Sequence, residues 1–435
     1  MTVTGRFALL VALGVVPIVL LGRTTAAALG VLGVWLIAVL LLGILDLSLA
    51  ASPRALTLER RLPSRVRLGE QVTSELYLTN TGRRRMLAVV RDAWQPSAGA
   101  GNNRTRLTVP PGERRRVSLT LTPFRRGERR ALQVTVRSVG PLGLWARQAT
   151  LGAPGRIRVL PPFHSRKHLP SRITRLKELD GRTSLLVRGQ GTEFDSLREY
   201  VRGDDVRSID WRATARRNDV MVRTWRPERD RRVVILIDTG RTSAARIDDE
   251  PRLDTAFEAS LLLAALASRA GDRVDFVAFD RRVRGRVQGA QGAELLSRMV
   301  DAVALIEPEL IEMDWAAVPG QVRAITSQRA LVVLVTAIDA AGASTGLLSV
   351  LGQLTRRHTV VVASVTDPVV LRASRERGTL DEVYRAAAAE RALLDVTRVA
   401  AAIRQLGAEV VTASPADLPP ALADRYIALK AAGRL

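Results

Sequence analysis

Two apolar runs open the chain, Phe7 to Leu21 and Ala26 to Leu45, with Arg23 between them. The second is about 20 residues long, roughly 30 Å as a helix, which matches the hydrocarbon core of a bilayer. The first is nearer to about 15 residues and contains Pro17. It spans only if Gly5 to Gly22 contribute or the bilayer thins. Residues 1–50 are therefore expected to form a transmembrane helical hairpin. A signal peptide with Ser48-Leu49-Ala50 as its cleavage site is the competing reading, and a second apolar run after a charged break argues against it. Arg54, Arg60, Arg61, Arg65 and Arg67 follow the second run, while the connecting loop carries only Arg23. By the positive-inside rule, two spans in the inner (cytoplasmic) membrane with the soluble part facing the cytoplasm are expected.

The period then changes. Residues 54–160 alternate polar and apolar positions in Thr73–Thr79, Arg116–Leu121, Ala131–Val136 and Ile157–Leu160. Asn80-Thr81-Gly82, Pro110-Pro111-Gly112 and Arg126-Gly127 supply turns, which predicts a small Ig-like antiparallel β-sandwich. Residues 161–190 read as a linker with a short helix over Leu169–Leu179. His164 and His168 stand at helical ligand spacing there, but flanking prolines and the lack of a third ligand argue against a metal. From residue 233 to 435, short continuously apolar strands such as Val233–Ile237, Leu331–Val335 and Val360–Val365 alternate with helical stretches. That pattern predicts an α/β domain with a mostly parallel sheet covered by helices on both faces.

Charge and cysteine content narrow the chemistry. The net charge is +23, yet residues 1–232 hold 42 basic and 18 acidic side chains and the remainder 24 and 25. The excess therefore lies toward the membrane, where anionic lipid is a better partner for Arg54 to Arg67 than nucleic acid. Aromatic content of 4% and the lack of a recognition motif also speak against nucleic acid. The absence of cysteine excludes disulfides, thiolate zinc sites and thiol nucleophiles. None of the three lysines follows a glycine, so no P-loop is present and no nucleotide is bound that way.

Ligands of parallel sheets sit at the carboxyl ends of the strands. The first buried strand ends in Asp238-Thr239-Gly240-Arg241-Thr242 and the third in Thr336-Ala337-Ile338-Asp339, oxygen donors suited to Mg²⁺ or Mn²⁺. This rim resembles the metal-ion-dependent adhesion site of von Willebrand factor A domains, which uses Asp-x-Ser-x-Ser, a distant Thr and a later Asp. The resemblance implies metal roles for Asp238, Thr242 and Asp339, with Gly240 in place of the first Ser and Asp314 roughly where the family has its Thr. A structural Asp capping the following turn is the plainer alternative for Asp238.

The segment 191–232 is the most distinctive. Between Gly191 and Trp225 it interleaves Glu193, Arg198, Glu199, Asp204, Asp205, Arg207, Asp210, Arg212 and Arg216 with Phe194, Tyr200 and Trp211. So many alternating charges read first as an ion-pair network bracing a hairpin. Arg with Trp and Tyr also favours interface anchors, which marks Glu193, Arg198, Tyr200, Asp204, Asp205, Arg207, Asp210, Trp211 and Arg216 as candidate partner-binding residues. Glu-Phe, Arg-Glu-Tyr, Gly-Asp-Asp, Arg-x-Ile-Asp-Trp and Ala-Arg at this spacing resemble the domain-of-unknown-function-58 family, as do Arg126-Gly127 and Pro141-Leu142-Gly143-Leu144-Trp145 upstream. The resemblance implies a membrane-linked bacterial protein associated with a MoxR-type AAA+ ATPase, its von Willebrand factor A-like domain being the partner-binding module.

The expected function is thus a membrane-anchored, non-enzymatic adaptor. An envelope scaffold with neither metal nor ATPase partner is the alternative. A serine hydrolase is more remote. Gly342-Ala343-Ser344-Thr345-Gly346 matches the nucleophile-elbow pattern, but its Ser does not follow the strand directly and the only downstream His is His358.

Overall fold

The computed structural model describes residues 2–186, 193–217, 219–226, 231–248, 250–338 and 341–435, leaving aside the side chains of 180–186, 193–196, 224–226 and 341–344. It is a mixed α/β chain in two compact units, Met1–Pro162 and Phe163–Leu435.

In the first unit the opening apolar run forms two short helices, α1 (Gly5–Ala12) and α2 (Val15–Leu21). The second run forms one 25-residue helix, α3 (Thr25–Leu49). Among the described helices α3 alone is long and apolar enough to cross a membrane. The break between α1 and α2 has a visible cause. A Cβ at Gly14 would stand 2.5 Å from the Trp35 ring, and the Trp35 indole N–H donates to the Leu10 carbonyl at 3.1 Å. That carbonyl is the one the Gly14 amide would serve in an unbroken helix, since Gly14 N–H bonds Val11 instead.

Seven longer strands follow: β1 (Leu56–Arg61), β2 (Val72–Asn80), β3 (Met86–Trp94), β4 (Arg104–Val109), β5 (Arg114–Leu121), β6 (Gly127–Val139) and β7 (Trp145–Leu160). Antiparallel pairing joins β1–β2–β5 in one sheet and β7–β6–β3–β4 in another. Inward positions of both, including Leu76, Leu78, Met86, Val90, Val117 and Val136, share one apolar cluster. Alternation predicts this directly, because side chains two apart on a strand share a face. The inner face also holds a buried pair, Arg60 and Asp92, joined at 2.8 and 2.7 Å. Ser74 accepts a further bond from Arg60 at 2.9 Å, so the charge is not left uncompensated.

In the second unit the stretch expected to be a linker carries α4 (Leu169–Leu186), whose Leu176 is buried in the α/β core. A two-stranded arm comes next, β8 (Glu193–Glu199) paired antiparallel with β9 (Met221–Arg226), with α5 (Trp211–Arg217) between them. The main sheet is built from β10 (Arg232–Asp238), β11 (Arg273–Phe279), β12 (Val283–Val287), β13 (Leu331–Val335), β14 (Thr359–Val365) and β15 (Glu409–Ala413). Its order is β12–β11–β10–β13–β14–β15, parallel except for the edge strand β12.

Helices α6 (Arg252–Arg269), α7 (Gly292–Ala304), α8 (Val318–Ile325), α9 (Ala341–Thr355), α10 (Pro368–Ala373), α11 (Leu380–Gln405) and α12 (Leu418–Ala431) complete the unit. Val233, Ile235 and Ile237 face one apolar cluster with α6, α7 and α12, while Val234 and Leu236 face a second with α8, α9 and α11. Covering both faces requires strands that are apolar at every position, and the runs VVILI and LVVLV meet that requirement. Ser344 falls in the first turn of α9, on a helix rather than a strand-to-helix elbow.

Candidate functional site: a carboxylate and hydroxyl cluster on the sheet rim, and a charged arm

Asp238 ends β10 because the strand has to turn there, and the side chain makes the turn. Its Oδ1 accepts the Gly240 amide at 2.8 Å, an Asx turn. Its Oδ2 accepts two hydroxyls, Thr242 at 3.0 Å and Thr336 at 2.8 Å, the latter from the end of β13. Next door, Thr239 Oγ1 donates to Asp280 Oδ2 at 2.9 Å, beyond the end of β11. Neighbouring strands of the sheet thus bring two carboxylates and three threonine hydroxyls to one rim. Asp238 is only 2% exposed and Asp280 is fully buried. Burial pushes the Asp238 carboxyl above its ordinary range and the charge of Asp280 adds to that, against the hydrogen bonds from Gly240, Thr336 and Thr242.

The rim is covered by a strap. Glu309 N–H bonds the Thr239 carbonyl at 3.1 Å, Arg241 N–H bonds Ile311 at 2.8 Å, and Asp314 N–H bonds Asp280 at 3.0 Å. Ion pairs of Arg282 and Arg284 with Glu309, and of Arg241 with Glu312, tack its edges down. A Cβ at Gly240 would lie 2.7 Å from the Ile311 carbonyl oxygen. This is the physical reason that glycine stands at position 240: the strap leaves no room for a side chain.

Of the four residues read as metal ligands, Asp238 and Thr242 meet. Asp314 does not join them. Its Oδ1 caps the following 3₁₀ turn by accepting from Ala317 N–H at 3.3 Å, and the residue is exposed. Asp339 lies outside the described residues. Sequence reasoning named Thr336 among the rim oxygens without giving it a ligand role, and it missed Asp280, although both follow directly after buried strands, where rim residues are to be sought. Among the described residues no group of three or more His, Cys, Asp or Glu side chains forms a metal cluster. The oxygen set of Asp238, Thr242 and Thr336 fits a hard divalent cation in kind, with one carboxylate to neutralise it.

Eight of the nine candidate partner-binding residues fall into two groups on the arm. Arg198 makes a bidentate pair with Asp204, which also accepts from Val201 N–H at 2.9 Å. Asp210 accepts from Arg212 and Ala213 N–H at 3.0 Å each and from Arg223 Nε at 2.8 Å. The Ala213 amide, and after it the Arg223 guanidinium, holds the Asp210 carboxyl below its usual range. Asp205 accepts from Arg207 N–H and caps a short turn. These residues brace the fold, as alternating charges first suggested. Trp211, by contrast, is 70% exposed, and Tyr200, Arg207 and Arg216 are also exposed. Glu193 lies in β8, its side chain outside what is described.

Both features fall within one stretch that is shared with other proteins. Residues 196–404 match the family model "Protein of unknown function DUF58". The match runs from the arm through the rim to α11. Uncharacterized proteins of Mycobacterium tuberculosis and Mycobacterium bovis are 26% identical over 248 residues, covering 52% of this chain and 76% of each relative. Among solved structures, the CARDB domain of a Pyrococcus furiosus protein covers 26% of this chain and 90% of its own, at 16% identity and a TM-score of 0.20. Escherichia coli alpha-2-macroglobulin covers 24% of this chain and 6% of its own, at 15% identity and a TM-score of 0.21. Overlaps so slight establish no common fold.

Proposed function

We propose that this chain is a membrane-anchored, non-enzymatic adaptor whose second unit is a von Willebrand factor A-like domain presented to a protein partner. The partner is an AAA+ ATPase of the MoxR type, or that ATPase's client. α1 to α3 form the anchor as a two-span hairpin, with the soluble part on the cytoplasmic side. The observation that carries the reading is the arm. Asp204, Asp205 and Asp210 are consumed in bracing, while Trp211 is exposed together with Arg207, Arg212 and Arg216, none of which has an ion-pair partner among the described residues. Arg and Trp held on a braced hairpin have the composition of an interface hot spot, where large rigid side chains bury area at little entropic cost.

The rim supports the reading in a second way. Asp238, Thr242 and Thr336 would hold Mg²⁺ or Mn²⁺, which when bound would supply a coordination position for a partner's carboxylate once the strap over the rim is drawn aside. The chain's own contribution is to gather those oxygens and keep water out. The test is affinity capture of the full chain from bacterial membranes. A MoxR-type ATPase is expected with the wild type and is expected to be lost from Trp211→Ala with Arg207→Ala and Arg216→Ala. Recovery of no ATPase by the wild type sinks the adaptor assignment and leaves the scaffold.

A further inference from the structure

At the carboxyl end of α3 the first unit carries a shallow, open pocket of about 280 Å³ lined by Arg83, Arg84 and Arg147, with Ser52 and the backbone after the helix. At about 30 Å³ per water this equals roughly nine waters, room for a phosphodiester and part of a glycerol. No carboxylate lines it among the described residues, and none of the three arginines makes an ion pair with a described residue. Arginines without an ion pair are common in this unit, where 24 arginines face seven carboxylates, so it is the convergence of these three at the end of α3 that marks the site.

The walls are fixed before any ligand arrives. Arg147 Nε donates to the Leu47 carbonyl at 3.0 Å and Arg84 Nη1 to the Ser48 carbonyl at 2.5 Å. Each arginine thus spends one N–H on the last turn of α3, cancels the negative end of the helix, and keeps its other N–H groups free. The turn carrying Arg83 and Arg84 is held from below. Fully buried Asn80 donates to the carbonyls of Arg84 and Val109, both at 2.9 Å, and accepts from Gly82 N–H at 3.0 Å. Thr81 donates twice to the Ala55 carbonyl, at 2.9 Å from N–H and 2.8 Å from Oγ1. Capping alone would account for Arg84 and Arg147. It does not account for Arg83, which makes no bond to α3 and still lines the same pocket.

We infer that this pocket binds the phosphate of an anionic phospholipid headgroup. Guanidinium groups converging on a preorganised site are suited to phosphate oxygens. The lipid, rather than a soluble phosphate, is indicated by place: the pocket opens where the apolar helix ends, the level of the headgroups if α3 crosses the bilayer. The inference rests on that membrane reading. It also moves the lipid contact away from Arg60 and Arg61, which the sequence had offered. Arg60 is buried against Asp92 and Arg61 is paired with Glu59.

The full chain in detergent, titrated with phosphatidylglycerol or phosphatidylcholine and read by native mass spectrometry, tests this. The wild type should retain phosphatidylglycerol about tenfold better, and the preference should fall to within about twofold in Arg83→Gln/Arg84→Gln/Arg147→Gln. Should that variant misfold, Arg83→Gln alone, which leaves both helix caps in place, should lower the preference about threefold. Inorganic phosphate should not displace the lipid; displacement at equal concentration assigns the site to soluble phosphate and overturns the proposal. Equal retention of the two lipids by a chain that resists carbonate extraction from membranes also overturns it. Release by carbonate instead refutes the anchor itself.

Discussion

Two buried carboxylates in this molecule are held in opposite ways. Asp46, fully buried near the end of α3, accepts three backbone amides: Leu142 at 2.7 Å on Oδ1, and Leu144 at 2.7 Å and Trp145 at 3.0 Å on Oδ2. Asp238, on the sheet rim, accepts one backbone amide and two threonine hydroxyls. Amides cannot turn away, whereas hydroxyls rotate and can offer their lone pairs instead. The first arrangement is a joint and the second a set of ligands that can be re-aimed. The Pro141-Leu142-Gly143-Leu144-Trp145 turn is therefore a socket for the apolar helix. Gly140 is small for the same reason, since a Cβ there would fall 2.2 Å from Asp46 Oδ1.

The comparison breaks most readily at Asp46. Asp46→Ala removes the acceptor of three amides, one buried and two part-buried, at about 1–3 kcal/mol for the buried one and less for the others, so a loss of about 2–4 kcal/mol is expected. Urea unfolding of the full chain in detergent, followed by the fluorescence of Trp145, measures it. Asp46→Asn keeps one acceptor and brings an NH₂ against amide N–H groups, so its loss should be intermediate. A cost below that of Asp238→Ala would dissolve the distinction between joint and ligand.

Asp238→Ala should cost about 1–2 kcal/mol, because burial already penalises the ionised carboxylate that is removed. The pH dependence sharpens the contrast. With the folded carboxyl raised above 3.8, the native state holds its proton longer than the unfolded chain does. Stability therefore falls as pH rises from 3.8 through the folded value, and Asp238→Asn removes that slope. A cation competes with the proton, so the rise in Tm given by MgCl₂ should be small at the acid end of this window and grow above it. Thermal scans of wild type and Asp238→Asn with and without MgCl₂ check both signs. A wild type indifferent to MgCl₂ at neutral pH confines Asp238 to its Asx turn.

What could be seen in the sequence follows the range of the interactions involved. The buried strands Val233–Ile237, Leu331–Val335 and Val360–Val365 were legible because covering a sheet on both faces demands a continuous apolar run. The strands Leu56–Arg61, Met86–Trp94 and Arg104–Val109 were not. On the inner faces of the first two, Arg60 and Asp92 sit as an ion pair and interrupt the apolar alternation. Asp46 was read past as the polar end of an apolar run, since its partners lie 96 to 99 positions away. The segment 161–190 looked like a linker because α4 presents only a narrow apolar face. Thr336 was within view at the end of a buried strand, but the resemblance pointed to Asp314 instead, and only the fold shows that Thr336 bonds Asp238. At the arm, the bracing pairs were readable as alternating charge, and only exposure separates Trp211 from them.

The smallest expected effect lies on that arm, and it separates a surface from a joint. Trp211 opens α5 at 70% exposure and has no ring or hydrogen-bond partner for its side chain among the described residues. Truncating a large exposed side chain of this kind is expected to change stability by less than about 0.5 kcal/mol. Asp210, one residue earlier, carries three bonds and its carboxyl is held low, so Asp210→Ala should destabilise the arm measurably while leaving the sheet intact. Hydrogen exchange of the β8 and β9 amides distinguishes them: protection should drop in Asp210→Ala and persist in Trp211→Ala. If both variants lose protection alike, the tryptophan is part of the brace, and an interface anchor has to be sought elsewhere on the chain.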